Sequence, residues 1–277
     1  MTLPTFLGIG VPRSGTTWLH ELLKTHPQVY VPKYRKEIHF FNKNYDRGID
    51  WYEKYFPSDA RADKYRAIGE ITPFYLFYDA CIERILKMPS IKKLIINLRN
   101  PVDRAYSYYV VMIQNGECVG SFEECMSQHP DILQQSFYSE QLKKYFHHFD
   151  REQMLFLIYE QTIASSISKT KEIVANFLDI DVEGFPSTAG VGKVAVSRIP
   201  KAHAAYLFFN KIAWMLKDRR LDCIVSWSIK LGIKRVFGKQ PLPPKMKEET
   251  RRYLKKLYQS EIYELESLLN INLDCWK

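Results

Sequence analysis

Residues 10–17 read Gly10-Val-Pro-Arg-Ser-Gly15-Thr-Thr17. This nearly matches the phosphate-binding pattern G-x-x-x-x-G-K-[ST], in which loop amides and a helix N-terminus cradle an anion. The flanks supply the required setting. The apolar segment Thr5–Ile9 predicts a buried strand, and Thr16–Lys24 predicts a helix with Trp18, Leu19, Leu22 and Leu23 on one side. The departure from the pattern changes the chemistry. Position 16 is Thr where the pattern has Lys, and the cation sits earlier, at Arg13. The pattern's lysine reaches β- and γ-phosphates beside Mg²⁺. A guanidinium within the loop instead forks onto a bridging and a terminal oxygen of a shorter mixed anhydride.

A second strand–loop–helix unit follows at Lys93-Leu-Ile-Ile-Asn-Leu98, Arg99-Asn100 and a helix opening at Pro101. Asn100 suits an N-cap and Pro101 the first helical position. Arg99 leaves the end of the strand, and Ser107 lies two turns into the helix on the same face as Arg104. An Arg paired with a hydroxyl makes a phosphate clamp. A third strand, Met154–Tyr159, precedes a helical pattern to Leu178, and a last helix is predicted over Lys247–Leu269. Short apolar strands alternating with amphipathic helices predict an α/β class: a three-layer, P-loop-like fold with a central parallel sheet flanked by helices, in one domain over residues 1–277. Ligands of such sheets bind beyond the carboxyl ends of the strands, where both loops fall. No predicted strand ends in an Asp that would hold magnesium. Glu160, after the third strand, is the nearest substitute and reads more simply as a helix-start acid.

With 40 Lys and Arg against 31 Asp and Glu, the net charge of +9 favours an anionic ligand. The basic residues are scattered, with no run of five. Five cysteines, Cys81, Cys118, Cys125, Cys223 and Cys275, include no C-x-x-C pair, which argues against a disulfide framework or zinc site and suits a reducing cytoplasm. The loop begins so early that no room for a signal peptide is expected, and no apolar run approaches the roughly 20 residues that span a bilayer. A cytoplasmic protein with no membrane or nucleic-acid partner is therefore expected.

The stretch Pro12-Arg-Ser-Gly-Thr-Thr-Trp-Leu19 resembles the 5′-phosphosulfate loop of sulfotransferases that use 3′-phosphoadenosine-5′-phosphosulfate (PAPS). Many members have Lys at the position of Arg13; Arg resembles the protein-tyrosine and several bacterial branches. The run Arg99-Asn-Pro-Val-Asp-Arg-Ala-Tyr-Ser107 resembles the family's 3′-phosphate motif, and the closing stretch with Tyr258, Glu264, Leu265 and Trp276 resembles the end of bacterial members. The resemblance implies that Arg13, Ser14, Gly15, Thr16, Thr17 and Trp18 hold the 5′ end of PAPS, and that Arg99 and Ser107 hold its 3′-phosphate. It further implies that Ser197 and Arg198, in Val194-Ala-Val-Ser-Arg198, belong to a late loop over the nucleotide, and that PAP is released as product. Glu70-Ile-Thr-Pro-Phe-Tyr75, after a short strand, resembles an element near the acceptor.

In-line sulfuryl transfer requires a group that removes the acceptor's proton. Lys36-Glu-Ile-His-Phe-Phe41, if extended, points Glu37, His39 and Phe41 to one face, and aromatic neighbours would raise the carboxyl pKa. The segment resembles the K-E-x-H-F-F element of heparan-type and bacterial sulfotransferases, where the Glu is the base. Glu37 is preferred to His39, and an ion pair of Glu37 with Lys36 or Lys33 is the competing reading. The expected activity is transfer from PAPS to a hydroxyl or amine of a small-molecule acceptor, without a metal, as in bacterial enzymes that tailor natural products; the oligomeric state is left open. A P-loop kinase is the alternative, and a basic nucleic-acid-binding protein is the alternative outside enzymes.

Overall fold

The computed structural model describes residues 2–192 and 245–277, together with scattered helical residues between 208 and 216. Its centre is a parallel sheet of β1 (Phe6–Gly10), β2 (Val29–Tyr30), β3 (Ala67–Ile71), β4 (Lys93–Leu98) and β5 (Met154–Ile158), in spatial order β2-β3-β1-β4-β5. Every pairing is parallel; β1 aligns Phe6 with Gly69 of β3 and with Lys93 of β4. Successive strand residues face opposite sides. Ile95 and Leu157 pack on one side with Trp18, Leu19 and Leu22 of the helix Thr16–Leu23 and Val174, Ala175 and Leu178 of the helix Ile167–Leu178. Leu94, Ile96 and Leu98 point the other way and are also fully buried, so both faces are covered, as an all-parallel sheet requires. The expected α/β fold and its strands are observed, with β2 and β3 completing the sheet.

Two compact units are resolved by their internal packing. The first comprises residues 1–104, 137–195 and 258–277 and holds the whole sheet; the second comprises residues 105–136 and 196–257. In the second unit Tyr109 donates to the Gly120 carbonyl at 2.8 Å, and Ser121 and Glu124 form a capping box on the helix Phe122–Gln128. That turn brings the Cα atoms of Cys118 and Cys125 to 6.0 Å, and the two are joined by a disulfide. One such bridge is not a disulfide framework, but cysteine usage no longer argues for a reducing compartment. Among the described residues no helix is long and apolar enough to cross a membrane.

The helix expected over Lys247–Leu269 is two helices, Glu248–Leu257 and Gln259–Leu269, broken at Tyr258. Tyr258 is fully buried against Phe137, at 5.1 Å between ring centroids. Three residues on, the Glu261 carboxylate accepts from the amides of Tyr138 and Ser139 at 2.7 and 2.8 Å. The second helix is thus committed to holding the start of the helix Ser139–Phe146, a demand that sequence periodicity does not register.

Candidate active site

The helix Thr16–Leu23 starts at Gly15, whose φ of 87° is left-handed and whose backbone carries no side-chain cap. A Cβ there would approach Ile163 to 2.6 Å and the Tyr159 ring to 3.1 Å, so only glycine fits. Arg13 is also left-handed, at φ 74°. Alternating backbone handedness before a helix N-terminus turns successive N–H groups toward one concavity that suits an anion. Ser14 is wholly buried and its Oγ has no hydrogen-bond partner. Thr16 is buried, Thr17 is half-buried, and the Trp18 indole donates to the Gly190 carbonyl at 2.9 Å.

Three guanidiniums gather at this loop. Arg99 Nη1 donates to the Arg13 carbonyl at 3.1 Å, while its Nε is buried without a partner and its cation lies 4.9 Å from the centre of the Tyr159 ring. Arg104 is fully buried. Burial lowers the Arg13 pKa from its ordinary value, and the charges of Arg99 and Arg104 lower it further against a smaller opposing pull from Glu37. Like charges held together at a helix N-terminus, with buried donors unpaired, form a site whose electrostatics favour a multiply charged anion.

The Arg99 turn is fixed from a distance. Asn100 Oδ1 accepts from the Val102 amide at 3.0 Å, the expected N-cap. The Asn100 amide donates to Glu160 at 3.1 Å, Trp276 Nε1 donates to the other Glu160 oxygen at 2.7 Å, and Asn100 Nδ2 donates to the Trp276 carbonyl at 3.2 Å. Tyr138 Oη donates to the Arg99 carbonyl at 2.9 Å. Glu160 thus does not start the helix that follows it, Ile167–Leu178; it ties Trp276 to the phosphate-motif turn. Ser107 lies on the helix Pro101–Asn115 in the second unit, and Ser197 and Arg198 lie outside the described residues.

The segment 36–41 departs from its expected extended form: Glu37 and His39 are left-handed, at φ 64° and 57°, and Phe40–Lys43 is a short helix. Glu37 and His39 still meet, with Nε2 to Oε2 at 3.7 Å, and Glu37 also pairs with Lys36. The carboxyl pKa is not raised. Burial pushes it up, but Lys36 and the contacts with His39 outweigh that and hold it at about 2. The competing ion pair with Lys36 therefore exists alongside the carboxylate–imidazole pair. The site also contains residues that sequence reasoning did not assign to it, Tyr159 at the anion loop and Trp276 behind Arg99, while Arg104, read beside Ser107 as part of a phosphate clamp, lies buried within reach of Arg13. Trp276 had been noted only for its likeness to the end of bacterial members.

Residues 3–199 match the sulfotransferase domain. Over 140 residues the chain is 36 % identical to the membrane-associated sulfotransferase kil1 of Dictyostelium discoideum, a match covering 48 % of this chain and 30 % of that protein. Over 180 residues it is 30 % identical to heparan sulfate glucosamine 3-O-sulfotransferase 3B1 of Mus musculus, covering 62 % and 45 %. A crystal structure of a sulfotransferase from Alicyclobacillus acidocaldarius superposes with a TM-score of 0.72 at 22 % identity, covering 100 % of this chain and 99 % of that one. The chain belongs to the sulfotransferase family and has its fold. These matches span less than half the length of the two curated relatives.

Proposed function

We propose that the whole chain acts as one PAPS-dependent sulfotransferase domain, passing a sulfuryl group to a hydroxyl or amine of a small-molecule acceptor by in-line displacement. The observation that carries this reading is the convergence of Arg13, Arg99 and Arg104 on an uncapped helix N-terminus, within electrostatic reach of the Glu37–His39 pair. The unpaired Ser14 Oγ and Arg99 Nε fit the oxygens of a nucleotide carrying phosphate at both ends. When bound, PAPS supplies the activated sulfuryl group.

In this reading Arg13, Ser14, Gly15, Thr16, Thr17 and Trp18 hold the 5′ end, and Arg99 with Ser107 holds the 3′-phosphate; Ser197 and Arg198 complete the nucleotide's surroundings. As the acceptor oxygen or nitrogen bonds to sulfur, the bond from sulfur to the 5′-phosphate oxygen breaks. Arg13 and the loop amides stabilise the charge arriving on that oxygen, and PAP departs. Glu37 takes the acceptor's proton while His39 orients the carboxylate. A carboxylate at about 2 is ionised throughout the working range, but its proton affinity is low while Lys36 is paired with it. Release of Lys36 from Glu37 is therefore part of making the base effective.

None of the five described strands ends in Asp, and position 16 is Thr, so nothing favours a kinase over this reading. The relatives named for heparan sulfate make a glucosamine hydroxyl one acceptor to examine, beside the small secondary metabolites we favour. Incubation with PAPS and a panel of alcohols, phenols, amines and amino sugars, read by mass spectrometry, is expected to give one acceptor a gain of a single sulfuryl group. PAPS consumption without any labelled acceptor across such panels would count against transfer.

A further inference from the structure

Glu70 lies near the carboxyl end of β3 with only 1 % of its surface exposed, and three hydroxyl groups hold it. Tyr75 Oη donates to it at 2.6 Å, Thr72 Oγ1 at 2.7 Å and Tyr52 Oη at 3.3 Å. An ionised carboxylate only accepts, so the proton of each hydroxyl is committed to Glu70 and the lone pairs of each oxygen face elsewhere. Two of them receive the base segment: Thr72 Oγ1 accepts from the His39 amide at 3.3 Å and Tyr75 Oη from the Phe40 amide at 2.8 Å. The Glu37 amide donates to the Ile71 carbonyl at 3.1 Å. Residues 71, 72 and 75 therefore seat three amides of the segment, two of them through hydroxyls whose direction Glu70 sets.

That seating bears on the backbone. A left-handed conformation is unfavourable for a non-glycine residue and persists only where its surroundings over-determine it. Glu37 and His39 both carry that cost. We propose that Glu70 is a positioning residue: through Thr72 and Tyr75 it holds the left-handed Glu37 and His39 so that their side chains meet at 3.7 Å. Buried as it is, Glu70 does not touch the acceptor; it acts only through the segment it seats. Burial raises its pKa, and the bonds from Tyr75, Thr72 and Tyr52 together with the interaction with His39 offset only part of that rise.

The proposal rests on Glu37 and His39 handling the acceptor's proton, so Glu37→Gln accompanies every measurement. Misplacing a reacting group by about 1 Å costs up to roughly a hundredfold. Glu70→Gln and Thr72→Val, the latter keeping the shape and losing the hydroxyl, are expected to lower kcat by roughly ten- to a hundredfold. KM for PAPS and the rise in Tm caused by PAP should stay at wild-type values. Thr72→Ser, which returns the hydroxyl, should restore most of the loss. Where Glu70→Gln does not fold, the Thr72 pair carries the test. Wild-type turnover in Glu37→Gln overturns the base reading and this proposal with it. A crippled Glu37→Gln beside wild-type turnover in Thr72→Val overturns the positioning role alone, as does a loss of PAP protection that parallels the loss of kcat.

Discussion

The anion loop and the base segment share a device and differ in charge. Each holds non-glycine residues in the left-handed region, Arg13 in one and Glu37 and His39 in the other. The loop gathers Arg13, Arg99 and Arg104, and that concentration of like charge depresses the Arg13 pKa beyond what burial alone does. In the base segment the charges are paired within the segment: Lys36 and His39 both contact Glu37 and drag its carboxyl down to about 2. In the proposed function one region receives charge from outside and the other loosens an internal pair before it reacts. The difference separates binding from chemistry and tells which substitutions touch which.

The largest expected effect falls on chemistry. Glu37→Gln keeps shape and hydrogen-bonding capacity but accepts no proton, so kcat should fall by about 10²–10⁴-fold while PAP binds as before. Because the carboxyl pKa of the free protein lies at about 2, below its usual 4.5, the acid limb of wild-type kcat/KM should begin well below pH 4.5 and vanish in the variant. His39→Ala is the control. If it abolishes turnover and Glu37→Gln does not, the imidazole is the base and the comparison must be redrawn.

Next comes binding. Arg99→Ala should weaken PAP by about 1.5–3 kcal/mol, the range for hydrogen bonds to charged groups. A nucleotide without a 3′-phosphate should bind the variant and the wild type alike. Equal losses for both nucleotides in calorimetry would remove Arg99 from the 3′ side of the site.

A third effect, read on stability and not on function, probes the helix that starts at the anion loop. His20, 3 % exposed on the helix Thr16–Leu23, has its pKa pulled to about 3 by burial and by Lys36 and Lys24. Its folded pKa lies below the usual 6.5, so the unfolded chain binds the proton first. The stability it confers is complete above pH 6.5 and drains as pH falls toward 3, by up to about 1.4 kcal/mol per pH unit. Urea unfolding at pH 7 and pH 5 should show that slope in the wild type and lose it in His20→Phe; an unchanged slope would mean that the histidine is already charged.

What could be read in the sequence follows the same division. The anion loop and the Arg99–Pro101 turn are local: each is a strand end, a few loop residues and a helix start, and glycine, proline and an N-cap asparagine mark them. The segment Lys36–Phe41 stands out by its residue types but was given the wrong backbone, because nothing in it announces left-handed Glu37 and His39. Their conformation is set by Thr72 and Tyr75, more than 30 residues away. Glu160 was misread for a similar reason, since its partner Trp276 is 116 residues distant. The break at Tyr258 escaped because apolar spacing continues through it, while the burial of Tyr258 and the cap supplied by Glu261 are tertiary.

The central claim, that the gathered guanidiniums form a PAPS site, is tested most directly by thermal or urea unfolding of the whole chain with PAP and, separately, with ATP and magnesium. At about 100 times its dissociation constant PAP should add roughly 2.7 kcal/mol of stability, and ATP with magnesium clearly less. Protection by ATP with magnesium and none by PAP would contradict the account.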